Sequence, residues 1–236
     1  MNRKLLTARN VIMLFILLTF VFSTINLAIR ISSAPLYAPY ADIAFRTRSD
    51  YVMLFVQSII GMIAVGLPLF FGRKVPLHIP PINMVIYAIF LYCALYLGAV
   101  RNFYYRVPHW DTVLHGFSGV TLGILGFSIV HLLNKSKSVE FTLSPLFLSI
   151  FAFCFASTLG IFWEIFEFAV DYFLGANSQR WATETGIPLI GQAALADTMK
   201  DFIANTIGAL VIAVVGYISL KHGKGWLDRF RIDTKN

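Results

Sequence analysis

Apolar residues fall in six long runs along the chain, separated by short polar or basic stretches. The runs cover about 11–29, 51–71, 83–100, 112–133, 145–173 and 197–220. Each supplies about the ~20 residues a helix needs to cross a hydrocarbon core ~30 Å thick, and the fifth exceeds it. Little chain is left over. The pattern predicts an all-α, polytopic transmembrane bundle of about six helices, forming one integral membrane domain over residues 1–236. The breaks carry ordinary stop signals: Gly72-Arg73-Lys74 after the second run, Pro80-Pro81 before the third, and Gly175 after the fifth. The first run follows Arg3, Lys4 and Arg9, as a signal peptide would. Its apolar stretch exceeds the ~7–15 residues of a signal core, so it reads as an uncleaved first helix.

Composition agrees with this pattern. The chain is 58% hydrophobic and 13% charged, about half the ~25% charge of a soluble domain. The net charge of +7 would fit nucleic-acid binding only if a basic stripe lay on a soluble face, and no such face exists. Instead the basic residues flank the apolar runs. With the N-terminus inside, twelve Lys and Arg fall on the cytoplasmic side, among them Lys137 and Lys235, and seven on the other. That excess favours cytoplasmic N- and C-termini and a multi-pass protein of the bacterial inner membrane. Cys93 and Cys154 lie inside apolar runs and read as packing residues.

The acids change the picture most. Of twelve, Glu140, Asp228 and Asp233 fall on the cytoplasmic side, while Asp111, Glu164, Glu167, Asp171, Asp197 and Asp201 lie inside or at the ends of apolar runs. Each charge at the centre of a membrane helix costs at least ~2.5–3.5 kcal/mol, so their presence needs a reason. Asp111 and His115 are four apart, with Gly119 and Gly123 continuing the same helical face. Glu164, Glu167 and Asp171 share a face, and so do Asp197, Asp201, Asn205 and Gly208. The alternating topology places these three faces at one depth, near the extracytoplasmic side.

Like charges so close need a cation, shared protons or basic partners. A divalent metal ion could be held by Asp111, His115, Glu164, Asp201 and Asn205, with Mg²⁺, Mn²⁺, Ca²⁺ and Zn²⁺ all compatible. Shared protons would make Glu164, Asp201, His115 and Glu167 an acid–base set. Pairing with Arg101, Arg106, Arg180 or Lys200 would be structural. Asp111 and Asp197 could also be simple helix caps, and Asp171 reads as solvated at the interface. Gly119-x-x-x-Gly123 reads as helix packing. Arg46, Arg101 and Arg106, on the side that basic residues avoid, point to an anionic headgroup; the alternative is that they neutralise the acids.

The set Asp111-x-x-x-His115, Trp163-Glu164-Ile165-x-Glu167 and Asp197-Thr198-x-Lys200-Asp201-x-x-x-Asn205-x-x-Gly208 resembles the YjdF-type bacterial membrane proteins, and more remotely the VanZ-like family. The resemblance covers about residues 110–216. It implies a membrane protein without an established activity; the VanZ-like branch is associated with low-level glycopeptide resistance. Thr112, Val113 and Glu167 depart from the VanZ-like pattern.

Phosphate loops, zinc-protease helices and nucleophile elbows are absent from the sequence. The acids therefore carry the functional expectation: a metal- or proton-dependent enzyme acting on a lipid or lipid-linked envelope precursor, with membrane lipids as partners and no nucleic acid. The same carboxylates would also serve a small ion-coupled transporter, or would lock helices in a structural or regulatory subunit.

Overall fold

The computed structural model describes residues 3–36, 46–74, 77–135, 143–183 and 186–234; Lys137, Glu140 and Lys235, counted above toward sidedness, lie outside them. Among the described residues, six helices are long and apolar enough to cross a membrane. Strand pairing in the same residues is confined to Leu77–His78, Asp233–Thr234 and a single bridge between Ala182 and Pro188. The chain divides into two compact units, Met1–Trp110 and Asp111–Asn236.

The first unit holds helices α1 (Arg3–Ser33), α2 (Arg48–Lys74), α3 (Pro81–Leu91, continuing as a π-helix over Tyr92–Val100) and the short α4 (Phe103–Arg106). α3 starts where two prolines allow: Pro80 precedes it in extended backbone and Pro81 occupies its first turn, where no N–H partner is needed. The wider π turn ends at Val100, and Asn102 just beyond it, at φ 63°, turns the chain into α4. Its core joins Met13, Ile16 and Phe20 of α1 to Val65 of α2 and Met84 and Ala88 of α3. Gly61 makes this packing possible, because a Cβ there would sit 2.6 Å from the Phe20 ring.

The second unit is built on α5 (Trp110–Lys135), α6 (Pro145–Leu174) and α7 (Gln192–Lys221). Ser144 caps α6 by accepting from Phe147 N, with Pro145 at the first helical position. Gly175, at φ 64°, ends it and donates back to Asp171 O. α7 begins at Gln192, five residues before the expected start. Asp197 therefore lies in its second turn and cannot cap it. The physical reason is Gly191 at φ 62°, which sets the helix start upstream, so the alanine-rich stretch 192–196, made of good helix formers, enters the helix ahead of Asp197.

Candidate metal centre

α5 and α7 touch backbone to backbone. A Cβ at Gly119 would overlap the Asn205 carbonyl oxygen, and one at Gly208 would overlap the Gly116 carbonyl oxygen. The glycines expected to serve packing do so, and the contact has a consequence one turn away. It draws His115 of α5 and Asp201 of α7 together. On the third helix, Gly160 admits the Asn205 side chain, whose Oδ1 would lie 2.5 Å from any Cβ at that position. Glu164, one turn further along α6, thereby arrives at the same point.

There the His115 imidazole faces three carboxylates. Its Nε2 lies 3.6 Å from Asp111 Oδ1, 3.9 Å from Glu164 Oε1 and 3.9 Å from Asp201 Oδ2. All three separations are too long for a hydrogen bond. They come close to the ~3.4 Å between neighbouring ligand atoms around a tetrahedral ion with ~2.1 Å bonds. One ligand atom each from Asp111, His115 and Asp201 lies within 4.8 Å of the others, so this group could hold a metal ion. His115, Glu164 and Asp201 are 7%, 2% and 2% exposed. Glu164 Oε1 and Asp201 Oδ1 are buried with no hydrogen-bond partner, a state that in a native interior calls for an explanation such as an ion.

A loop after α6 reaches over this cluster. Asp171, expected to be solvated, is instead buried, and its two carboxylate oxygens accept from Ser178 N at 2.6 Å and Gln179 N at 2.9 Å. The chain's turn at Gly175 brings those amides back onto the last turn of α6. Held there, Gln179 donates to Glu164 Oε2 at 3.3 Å. Arg180, at φ 49°, sends its guanidinium to Asp111 Oδ2 at 3.1 Å and Asp197 Oδ1 at 3.3 Å. One guanidinium thus pairs with two of the acids, while Glu164 and Asp201 receive no basic partner from it.

Two residues grouped with the cluster on sequence are placed differently. Glu167 accepts a hydrogen bond from the Trp163 indole at 3.0 Å, on its own helix. Asn205 sits one turn deeper than Asp201 and donates to Ser118 Oγ at 3.2 Å, tying α7 to α5. Both follow from the 100° step of the helix, which swings residues three or four positions apart to the flanks of a shared face. Gln179 carries no motif, and Arg180 stood in the sequence only as one of several possible partners. Both act through a loop fold that no periodicity records. Arg46, Arg101 and Arg106 belong to the first unit. Arg46 donates to Ala99 O and Val100 O, at 3.1 Å each, and its burial pulls the guanidinium pKa below its ordinary value.

A family described as "Predicted membrane protein (DUF2238)" matches residues 8–222. The chain belongs to that family. This is consistent with a YjdF-type membrane protein of unknown function, as the three-helix motif implied. No curated protein and no solved structure matches the chain.

Proposed function

We propose that this chain is a divalent-cation-dependent enzyme of the bacterial inner membrane, acting on a lipid or lipid-linked envelope substrate. Asp111, His115 and Asp201 are the ligands, and Glu164 stands beside the ion as proton acceptor. The observation that carries the reading is the imidazole Nε2 facing Asp111, Glu164 and Asp201 at 3.6–3.9 Å, with buried, unpartnered oxygens on the last two. Three protein ligands with a position left open is the composition of catalytic rather than structural zinc sites. An imidazole with carboxylates suits Zn²⁺ or Mn²⁺ better than an all-oxygen ion. A carboxylate next to the ion is the usual acceptor for a proton from metal-bound water. The substrate class follows from location, since the cluster lies within membrane-spanning helices. Cytoplasmic termini would put it at the outer leaflet.

The competing reading is a helix lock, favoured by the bridge that Arg180 makes between Asp111 and Asp197. Metal analysis of the detergent-purified full chain separates the two. About one equivalent of Zn²⁺ or Mn²⁺ is expected in the wild type. His115→Ala and Asp201→Asn should lose it while remaining folded, and Glu164→Gln should keep it. If the wild type holds no ion after loading with both metals, the cation reading fails and the lock stands. Incubated with envelope lipid extract, metal-loaded wild type should generate a new product by mass spectrometry and Glu164→Gln should not.

A further inference from the structure

A second feature lies entirely in the first unit. A cleft of about 400 Å³ opens where the C-terminal ends of α1 and α3 meet the N-terminal end of α2, a volume within the ~300–1,000 Å³ range of small-molecule sites. Four arginines line it: Arg30 at the end of α1, Arg46 just before α2, Arg101 after α3 and Arg106 on α4. Among the described residues none of the four is ion-paired with a carboxylate. The nearby acid, Asp50, is engaged by Thr47 through its N–H and hydroxyl, both at 2.7 Å.

The cleft has two chemically distinct ends. From Arg30 it extends back along α1 past Leu27 to Phe22, with Tyr96 and Val100 of the π segment opposite. Eight helical residues make about 12 Å at ~1.5 Å each, so the apolar end runs into the membrane-spanning part of the bundle. Ser23, 4% exposed, also lines it, and its hydroxyl is buried without a partner. Arg46 commits two N–H groups to Ala99 O and Val100 O, which fixes its position and leaves the rest of its five donors. Guanidinium forks match the oxygens of a phosphate two at a time.

We infer that this cleft binds a lipid phosphate: the phosphoryl group among Arg30, Arg46, Arg101 and Arg106, and the acyl or alkyl chain along Phe22, Leu27 and Tyr96. The inference rests on the first unit alone and goes beyond the cation reading.

The test is calorimetric titration of the full chain in detergent, with EDTA present so that the result is independent of any bound ion. Dihexanoyl phosphatidic acid is expected to bind at least about tenfold tighter than dihexanoylglycerol, a difference of ~1.4 kcal/mol. Arg101→Ala/Arg106→Ala should lose at least about tenfold with unchanged elution and melting, since both side chains are exposed. Should that variant misfold, Arg101→Lys/Arg106→Lys keeps the charge and should still bind more weakly, having lost the fork. Equal binding of the two lipids, or wild-type affinity in folded variants, overturns the proposal. Binding of inorganic phosphate without binding of the lipid overturns the lipid assignment.

Discussion

The Arg180 guanidinium stands 3.1 Å from Asp111 Oδ2, across 69 residues of sequence, and the same group reaches Asp197 at 3.3 Å. A residue in a connecting loop thus supplies the positive charge for acids on two different helices. Its backbone is held at a positive φ, a conformation that a non-glycine residue keeps only when its surroundings impose it.

Removing that charge should be felt at once. Arg180→Ala leaves Asp111 and Asp197 partly buried beside other carboxylates, and losing one partner of a buried pair costs about 3–5 kcal/mol. Since Arg180 is 27% exposed, the lower end is expected, read as a drop in melting temperature in detergent. Saturating Zn²⁺ or Mn²⁺ should restore much of the loss, because an ion bound only to the folded state stabilises it by mass action. A drop that no divalent ion restores would separate Arg180 from the cation site.

Asp171 tests whether the loop is held as a platform. Asp171→Ala removes the acceptor of Ser178 N and Gln179 N together; because both amides are only partly buried, the lower end of the about 1–3 kcal/mol cost of an orphaned group is expected for each. The expected outcome is faster hydrogen exchange over residues 175–183, together with weaker metal binding, since Gln179 and Arg180 are no longer aimed at the cluster. Exchange unchanged in that segment would mean that the clamp contributes nothing to its order.

Two glycines with opposite surroundings test the helix contact. Gly208→Ala drives a methyl into the Gly116 carbonyl, which only backbone separation relieves, so a loss of at least about 1–3 kcal/mol is expected. Because the same contact brings His115 to Asp201, metal content should fall with it. Gly66, in α2, has nothing within 4 Å of an added Cβ. Gly66→Ala should be neutral or stabilising by up to about 1 kcal/mol from helix propensity. Thermal melts of the two variants side by side give the answer.

These relationships also mark where the sequence is legible. The six helices could be read because a membrane demands long uninterrupted apolar runs, and the packing stripe at Gly119 because only small residues allow backbone contact. Asp111, His115, Glu164 and Asp201 could be grouped because burying a charge needs a reason and helical spacing assigns it a face. The cap alternative for Asp197 fails because the apolar run alone does not show that the alanine-rich stretch from Gln192 already belongs to the helix that Gly191 starts. Asp171 was misjudged because a terminal acid reads as solvated unless one knows that the chain folds back onto it. The arginine cleft is legible only in part: Arg46, Arg101 and Arg106 stand out by the side expected for them, whereas Arg30 directly follows the first apolar run, where a flanking basic residue is ordinary. Loop returns and end-to-end convergence of helices are long-range geometry, and neither leaves a period in the sequence.

Glu167 and Asp201 make the sharpest comparison within the acid set. Spacing put both on faces that meet, yet Glu167 is engaged by the Trp163 indole, while Asp201 offers Oδ2 toward His115 and keeps Oδ1 unpartnered. Replacing each by its amide changes charge with little change of shape. Glu167→Gln can still accept from the indole through its carbonyl oxygen, so stability within about 0.5 kcal/mol of wild type and full metal content are expected. Asp201→Asn deletes a ligand of the three-residue set, and loss of the ion is expected even though the fold persists. Metal content measured on the two amide variants in parallel decides whether the cation depends on this geometry or merely on the number of acids nearby. Equal loss from both would mean that total negative charge holds the ion, and the Asp111–His115–Asp201 ligand set would be wrong.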